Sequence, residues 1–451
     1  MNESIRKWYE ENAQEVKALA DALWERPETA FHEQQGCARN AAFMAAQGFD
    51  VKTLSVPEAA GAEPNCVIAR YGSGKPVVGI LGELDALAGL GQDRVPYRSS
   101  REGAGHGCGH NLICAAASGG AAALKQAILD GKLPGTVIYF GCPAEETLEG
   151  KVYMAKYGWF QDLDLCLAWH PAPGPLTVME ASMQANTNMF FNFYGKSAHA
   201  AANPDQGRSA LDAAELMNIG VQYLREHVPE DVRIHYAYTH AGEVPNIVPA
   251  YAQVHYFIRA KTRAVNDEIV KRVVDISQGA AKMTGTTTDC RLNVGCYEVF
   301  INHAVNRLCR AAAQKVPVIL WDKADRNYAA ELYKNVRETE AEEDLLPTEI
   351  PKLTGVVSHM TGSSDVGDVS HLVPTCQIMG PGIVKGVPFH HWGVTAAAGT
   401  GIGHKAVWYA GKTLAQSGYE VFKNPAVLEE IWAEFRESRK NMAPYKPLLP
   451  D

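Results

Sequence analysis

Two periods of apolar and polar positions run along the 451 residues of this chain. Residues 3–24 set Ile5, Trp8, Tyr9, Val16, Ala20 and Leu23 on one side at helical spacing. A second helix is expected over 35–47. A strand, Val67–Tyr71, and a glycine–proline turn follow, and then the unbroken apolar run Val77-Val78-Gly79-Ile80-Leu81. Short unbroken runs suit strands covered on both faces, as in a mostly parallel sheet. Two more such runs, Thr136–Gly141 and Leu163–Ala168, are spaced by helix-like stretches at 111–130 and about 148–158. Strand and helix in alternation predict an α/β sheet.

The pattern changes near residue 184. Asn188–Tyr194 alternates as a half-exposed strand, and 207–227 reads as an amphipathic helix. Strand-like runs at 233–241 and 251–261, a helix at 265–283 and a strand near 287–295 complete a small α+β module. The expected organisation is a catalytic domain in two parts, 1–183 and 298–451, interrupted by an inserted domain at 184–297. The charged stretch 322–352 is expected to be a solvated insertion.

Composition narrows the function. The net charge is −9, and the absence of a Lys/Arg block argues against a nucleic-acid surface. No run approaches the roughly 18 apolar residues of a membrane span, and the mixed-charge start does not resemble a signal core. Ten cysteines over this length suit reduced, buried thiols and a cytoplasmic location better than a disulfide framework.

The candidate chemistry gathers at the ends of the apolar runs, where α/β sheets collect ligands. Glu83 and Asp85 follow the first, Glu145 and Glu146 the second, and His170 the third. The stretch Gly103-Ala104-Gly105-His106-Gly107-Cys108-Gly109-His110-Asn111 opens the helix at 111, with Asn111 expected as its N-cap. Cys108 and His110 are donors suited to zinc or a similar divalent ion. In the Glu145-Glu146 pair, one carboxylate binds metal while its neighbour accepts a proton from an attacking water. Adjacent residues of an extended chain point opposite ways, so a turn must bring both to the site. Near the C-terminus, Phe389-His390-His391-Trp392-Gly393 offers one more ligand, without the residues themselves choosing between the histidines. The polar turn 362–370 is expected to supply acceptors that orient ligand imidazoles.

Together, Gly-His-Gly-Cys-Gly-His-Asn, Pro-Ala-Glu-Glu, Trp-His-Pro and Gly-Lys-Ser-Ala-His-Ala-Ala resemble the co-catalytic metallopeptidase family of glutamate carboxypeptidases, aminoacylases and succinyl-diaminopimelate desuccinylase, in its amidohydrolase subgroup. The resemblance implies a mixed-sheet, di-metal exopeptidase-like catalytic domain with an inserted ferredoxin-like lid through which subunits dimerise. It implies two divalent metal ions, zinc or manganese, held by Cys108, His110, Glu146, His170 and a C-terminal histidine, with His390 at the family position. Glu145 would be the general base. His199 of the partner subunit would meet the oxygen of the cleaved carbonyl, and Asn246 and Arg259 the substrate carboxylate. The substrate would be an N-acyl or N-aroyl amino acid. The alternatives are a dipeptide substrate, or a non-catalytic role beside a paralogous subunit. One departure stands out. Many relatives carry His-x-Asp where this chain has Glu83-Leu84-Asp85, which leaves Glu83 without a role and Asp85 as an orienting carboxylate.

Overall fold

The structure is a computed structural model that describes residues 1–58, 61–178 and 180–450. The chain forms two compact units. The first comprises Met1–Ala181, Phe300–Ser358 and Val369–Tyr445. The second comprises Ser182–Val299, His359–Asp368 and Lys446–Asp451.

The first unit opens with α1 (Glu3–Glu25), started by the Asn2 side chain, which accepts from the Ser4 and Ile5 backbone N–H groups. Its apolar face, from Ile5 to Leu23, enters the main core. Helix α2 (Gln34–Ala46) follows. The sheet begins with β1 (Asp50–Leu54), β2 (Cys66–Ser73) and β3 (Val77–Glu83). It continues, after α3 (His110–Asp130), with β4 (Gly135–Cys142), and after α4 (Gly150–Lys156) with β5 (Leu165–His170) and β6 (Thr177–Val178). With strand Thr375–Met379 these make seven strands in the order β1-β2-β4-β3-β5-(375–379)-β6. The four central strands are mutually parallel and the flanking ones antiparallel. All seven residues of β3 and all eight of β4 are buried, which accounts for their unbroken apolar runs.

Helix α3 is rich in alanine and glycine and packs mainly against α1 and helix Gly401–Lys423. By length and composition it is apolar enough to cross a membrane, contrary to the expectation that no stretch approaches one. Nearly all of its residues are buried inside the first unit, however. The charged stretch near 322–352 also departs from expectation. It contains helix Lys323–Arg337, whose Ala329 and Leu332 join the main core together with Leu345 and Leu346. Its charges lie on the outer face only.

The second unit is a four-stranded antiparallel sheet in the order 287–296, 185–194, 251–260, 233–240. Helices Ala210–Leu224 and Arg263–Thr284 pack on one face. Phe191, Phe193, Val254, Tyr256 and Ile258 meet Met217, Val221, Ile269 and Val273 in a separate core. Strand Tyr251–Ala260 alternates strictly in burial. Strand Ala185–Tyr194 is buried over most of its length, more than the half-exposed pattern expected, because it has a strand on each side. Two short stretches expected in the sheet domain cluster here instead. The Gln184 N–H donates to the Gly362 carbonyl at 2.7 Å, and the Gly295 N–H to the Leu448 carbonyl at 2.8 Å. All ten cysteines are free thiols and nine are buried, Cys290 being exposed.

Candidate metal centre

The parallel pairing of the central strands sets the site. Glu83 at the end of β3 is in register with Cys142 at the end of β4, and Leu81 with Ala168 of β5, two residues before His170. Three strands therefore stop at one edge and deliver Glu83, the loop after Cys142, and His170 to the same place. The loop before α3 brings Cys108 and His110. Gly109, not Asn111, is the N-cap, with a φ of 84°. Asn111 lies inside the first turn, where its side chain donates to the Ala20 carbonyl at 3.3 Å. A β-carbon on Gly107 would sit 2.3 Å from Leu90 Cδ1, so the loop closes this tightly only around glycine.

Cys108 Sγ lies 3.3 Å from His170 Nε2. The Nδ1 of His170 stands 2.7 Å from the Pro171 carbonyl. It must carry the proton there, which leaves the Nε2 lone pair facing the thiol. Burial depresses His170 to about 4, so the ring is neutral and able to ligate. His110 Nδ1 pairs with Asp85 Oδ1 at 3.1 Å, and its Nε2 faces Glu83 Oε2 at 3.4 Å, Glu146 Oε1 at 3.7 Å and Glu145 Oε2 at 3.8 Å. Burial works against charge on His110, but Glu83 and Asp85 outweigh it and hold its pKa well above the usual imidazole value. His390 Nε2 is 3.3 Å from Glu146 Oε2. His390 is held there in a left-handed conformation, with φ 56°, by its N–H bond to the Gly107 carbonyl at 3.0 Å. His391 does something else. Its Nδ1 accepts from the Gly393 N–H and caps helix Trp392–Ala398.

Donor atoms of Cys108, His110 and His170 lie within 4.8 Å of one another, as do those of Cys108, Glu146 and His390, and those of Glu83, His110 and Glu145. His110 Nε2 and Glu83 Oε2 are buried without a hydrogen-bond partner. Leaving such atoms unmet costs free energy. A thiol, imidazoles and carboxylates converging on unmet donor atoms suit borderline divalent cations. The residues present therefore fit the metal pair, and the three overlapping groups give room for two ions.

The loop Pro143–Glu149 carries the two glutamates. Ala144 adopts a left-handed φ of 53°, and that turn brings Glu145 and Glu146 to the same His110 nitrogen despite their adjacency. Glu145 is raised to about 8 by burial and by the nearby Glu83 carboxylate. The Glu146 N–H donates to Asp85 Oδ2 at 2.9 Å, so Asp85 orients both a ligand imidazole and the glutamate loop. The acceptors expected from 362–370 serve other purposes. Ser363 Oγ accepts from Arg259 at 3.0 Å, and Asp368 accepts the Tyr297 N–H at 3.2 Å.

Two participants escaped the sequence reading. Lys151 of α4 is fully buried, with Nζ 2.7 Å from Glu83 Oε1. Its cation makes a carboxylate tolerable at position 83, where Coulombic attraction outweighs burial and keeps Glu83 ionised. Glu33 is fully buried and accepts the Ala144 N–H at 2.9 Å. Neither lies in a motif. The one hint was the carboxylate itself at position 83, which called for a buried counter-charge.

Among the residues of the second unit, His199 is exposed, and its Nδ1 accepts from the Ala201 and Ala202 N–H groups at 3.2 and 3.1 Å. Its proton therefore sits on Nε2, which is a donor. Asn246 is its neighbour through the 3.0 Å bond from the Ala200 N–H to the Asn246 carbonyl. Arg259 is half-buried, and its Nε has no hydrogen-bond partner.

A sheet edge lined with clustered soft and hard donors, and a proton-accepting carboxylate beside them, defines a metal-dependent hydrolase of linear amide bonds. The chain belongs to peptidase family M20/M25/M40, whose model matches residues 79–392. It is 35% identical to one of the two subunit types of p-aminobenzoyl-glutamate hydrolase of Escherichia coli (strain K12), over 95% of this chain and 93% of that protein. It is 28% identical to the Xaa-Arg dipeptidase of Mus musculus, over 95% and 90% respectively. Among solved structures, the fold is similar to an aminobenzoyl-glutamate utilization protein from Klebsiella pneumoniae (TM-score 0.65, 17% identity, 93% of this chain and 99% of that one). It is also similar to a dinuclear metal binding M20 peptidase from Bacillus subtilis (TM-score 0.61, 16% identity, 92% and 99%).

Proposed function

We propose that this chain hydrolyses the amide bond of an N-acyl or N-aroyl amino acid, and that p-aminobenzoyl-glutamate, cleaved to p-aminobenzoate and glutamate, is its substrate. The observation that carries the chemistry is the placement of Glu145. It is buried, raised to about 8, and set beside the donor cluster. A base of that strength takes a proton from an attacking water and returns it to the leaving amine near neutral pH. Cys108, His110, Glu146, His170 and His390 would hold the two ions. When bound, these ions polarise the scissile carbonyl and lower the pKa of the attacking water.

The substrate assignment is supported by the p-aminobenzoyl-glutamate hydrolase chain of Escherichia coli that aligns over nearly its whole length. The other chain of that hydrolase, 30% identical over half of this one, and a relative named indole-3-acetyl-aspartic acid hydrolase add to it. The last shares an acyl group joined to an acidic amino acid. The full-length match to the Xaa-Arg dipeptidase favours a dipeptide as the second reading. In either case the substrate carries a free carboxylate. Arg259, with an unpartnered Nε, and Asn246 are assigned to bind it, because guanidinium pairs with carboxylate through two parallel bonds. The Nε2–H of His199 suits a developing oxyanion, and we assign it to the active site of the partner protomer. The second unit is assigned as the dimerisation lid, with homodimers or a paralogous partner as the assembly and the cytoplasm as the location.

The test measures metal content per chain and hydrolysis of a panel of N-acyl amino acids and dipeptides, with Glu145→Gln alongside. We expect p-aminobenzoyl-glutamate to head the panel. We also expect the variant to keep its metal and lose about 100-fold or more in kcat. Unchanged turnover in Glu145→Gln would overturn the assignment of the base, and a preference for Xaa-Arg dipeptides would overturn the substrate.

A further inference from the structure

Glu145 sits between two backbone N–H groups that are each taken up by a carboxylate. On one side, the Glu146 N–H donates to Asp85. On the other, the Ala144 N–H donates to Glu33 Oε1 at 2.9 Å. Glu33 comes from the start of α2, 111 residues away in sequence, and none of its side chain reaches solvent. The same Oε1 also accepts the Phe31 N–H at 2.9 Å. Phe31 and Ala144 are both non-glycine residues in the left-handed region, with φ 66° and 53°. One oxygen thus holds two backbone segments in a conformation that side chains disfavour. The other oxygen is approached by Asn65 Nδ2 at 3.4 Å. Asn65 is itself fixed by bonds to the Val56 N–H and carbonyl at 2.8 and 2.9 Å.

The turn at Ala144 is what lets adjacent glutamates reach one site. The bond to Glu33 holds Ala144 left-handed from the side of α2, as the bond to Asp85 holds Glu146 from the other. We propose that Glu33 is a positioning residue for catalysis: through the Ala144 N–H it fixes the turn that aims the Glu145 carboxylate. It neither touches substrate nor holds metal. Burial and the nearby Asp85 charge raise Glu33 to about 8. Oε1 accepts whether or not Oε2 carries a proton, so reach matters here and charge does not.

That distinction gives the test. Glu33→Gln keeps the length and an accepting oxygen but loses the charge. Glu33→Asp keeps the charge but withdraws the oxygen by one methylene. The three variants, with Glu33→Ala, are assayed as metal-loaded full-length enzyme for kcat, KM and metal content. We expect the glutamine variant to stay within about threefold of the parent. We expect the aspartate and alanine variants to lose about 10- to 100-fold in kcat, the scale set by a misplaced reacting group, with KM and metal content unchanged. An aspartate variant at least as active as the glutamine variant would overturn the proposal. So would a loss of metal that accounts for the lost activity. If the alanine variant is insoluble, the glutamine–aspartate order decides alone. The inference rests on Glu145 as the base, and Glu145→Gln in the same series separates the two. If that variant is active, the base is wrong; if it is dead while all Glu33 variants are active, only the role of Glu33 is.

Discussion

Replacing Lys151 with methionine removes a cation and changes little else in volume. Lys151 Nζ lies 2.7 Å from Glu83 Oε1, with the lysine side chain fully buried and that of Glu83 4% exposed. Deleting one partner of such a pair costs about 3–5 kcal/mol, because the other charge stays behind without compensation. Here the stranded carboxylate joins Asp85, Glu145 and Glu146 around one imidazole, which places the metal-free protein toward the upper end, at about 4 kcal/mol. That is a large share of a typical folding free energy of about 5–15 kcal/mol. Divalent cations bound among the same carboxylates offset the same charge, and a ligand that binds only the folded state adds its binding free energy to stability. The loss should therefore shrink by at least half when zinc or manganese saturates the protein. Urea unfolding with and without chelator measures this. The eight tryptophans all belong to the first unit, and the second has none. Intrinsic fluorescence therefore follows the unit that carries the site. An equal loss in the chelated and loaded states, or no loss in either, would refute the idea that Lys151 compensates the donor cluster.

Three further outcomes are expected. Cys108→Ser exchanges a soft donor for a hard one, so bound zinc should fall more than bound manganese in metal analysis after equilibration with both; parallel losses would count against a thiolate ligand. A β-carbon on Gly150 would lie 1.7 Å from the Pro143 carbonyl oxygen. Gly150→Ala must therefore displace the glutamate loop, and kcat should drop about 100-fold with a smaller change in Tm. Glu33 titrates near 8 in the folded chain, against 4.5 when unperturbed. Its contribution to stability is full below 4.5, falls through the interval, and is gone above about 8. Glu33→Gln should consequently gain stability relative to the parent as pH rises from about 5 to about 8, and denaturant midpoints that shift together across that range would contradict the assignment.

The sheet was legible because β3, β4 and β5 are buried on both faces and so appear as unbroken apolar runs. The ligand residues were legible because parallel strands end together, so residues after each run fall on one edge. The acceptor that orients a ligand was sought in the wrong place. The polar turn 362–370 carries many oxygens, but Asp85, two residues past Glu83, already stands next to His110. Lys151 and Glu33 left no local signal, because a single charged residue in a helix reads as solvent-facing until its partner is known. The choice between His390 and His391 was likewise invisible. It depends on a backbone bond from His390 to Gly107, far away in sequence, which no spacing rule reports.

The carboxylates of the site divide by what they accept. Asp85 and Glu33 each accept a backbone N–H of the Pro143–Glu149 loop. Glu83 is bound on one oxygen by Lys151 and leaves the other facing His110. Glu146 faces His390. Glu145 is the member whose pKa is raised to about 8, so it is the one suited to exchange a proton at neutral pH. A proton acceptor is useful only if it stays out of the metal sites that its neighbour occupies. Two residues in sequence cannot take such different tasks in an extended strand, where they would point to opposite faces. The left-handed Ala144 and its carboxylate clamp remove that constraint. The strained turn is therefore the price of having a ligand and a base side by side. The clamp sets the angle between them, and with it the distance over which a proton must move.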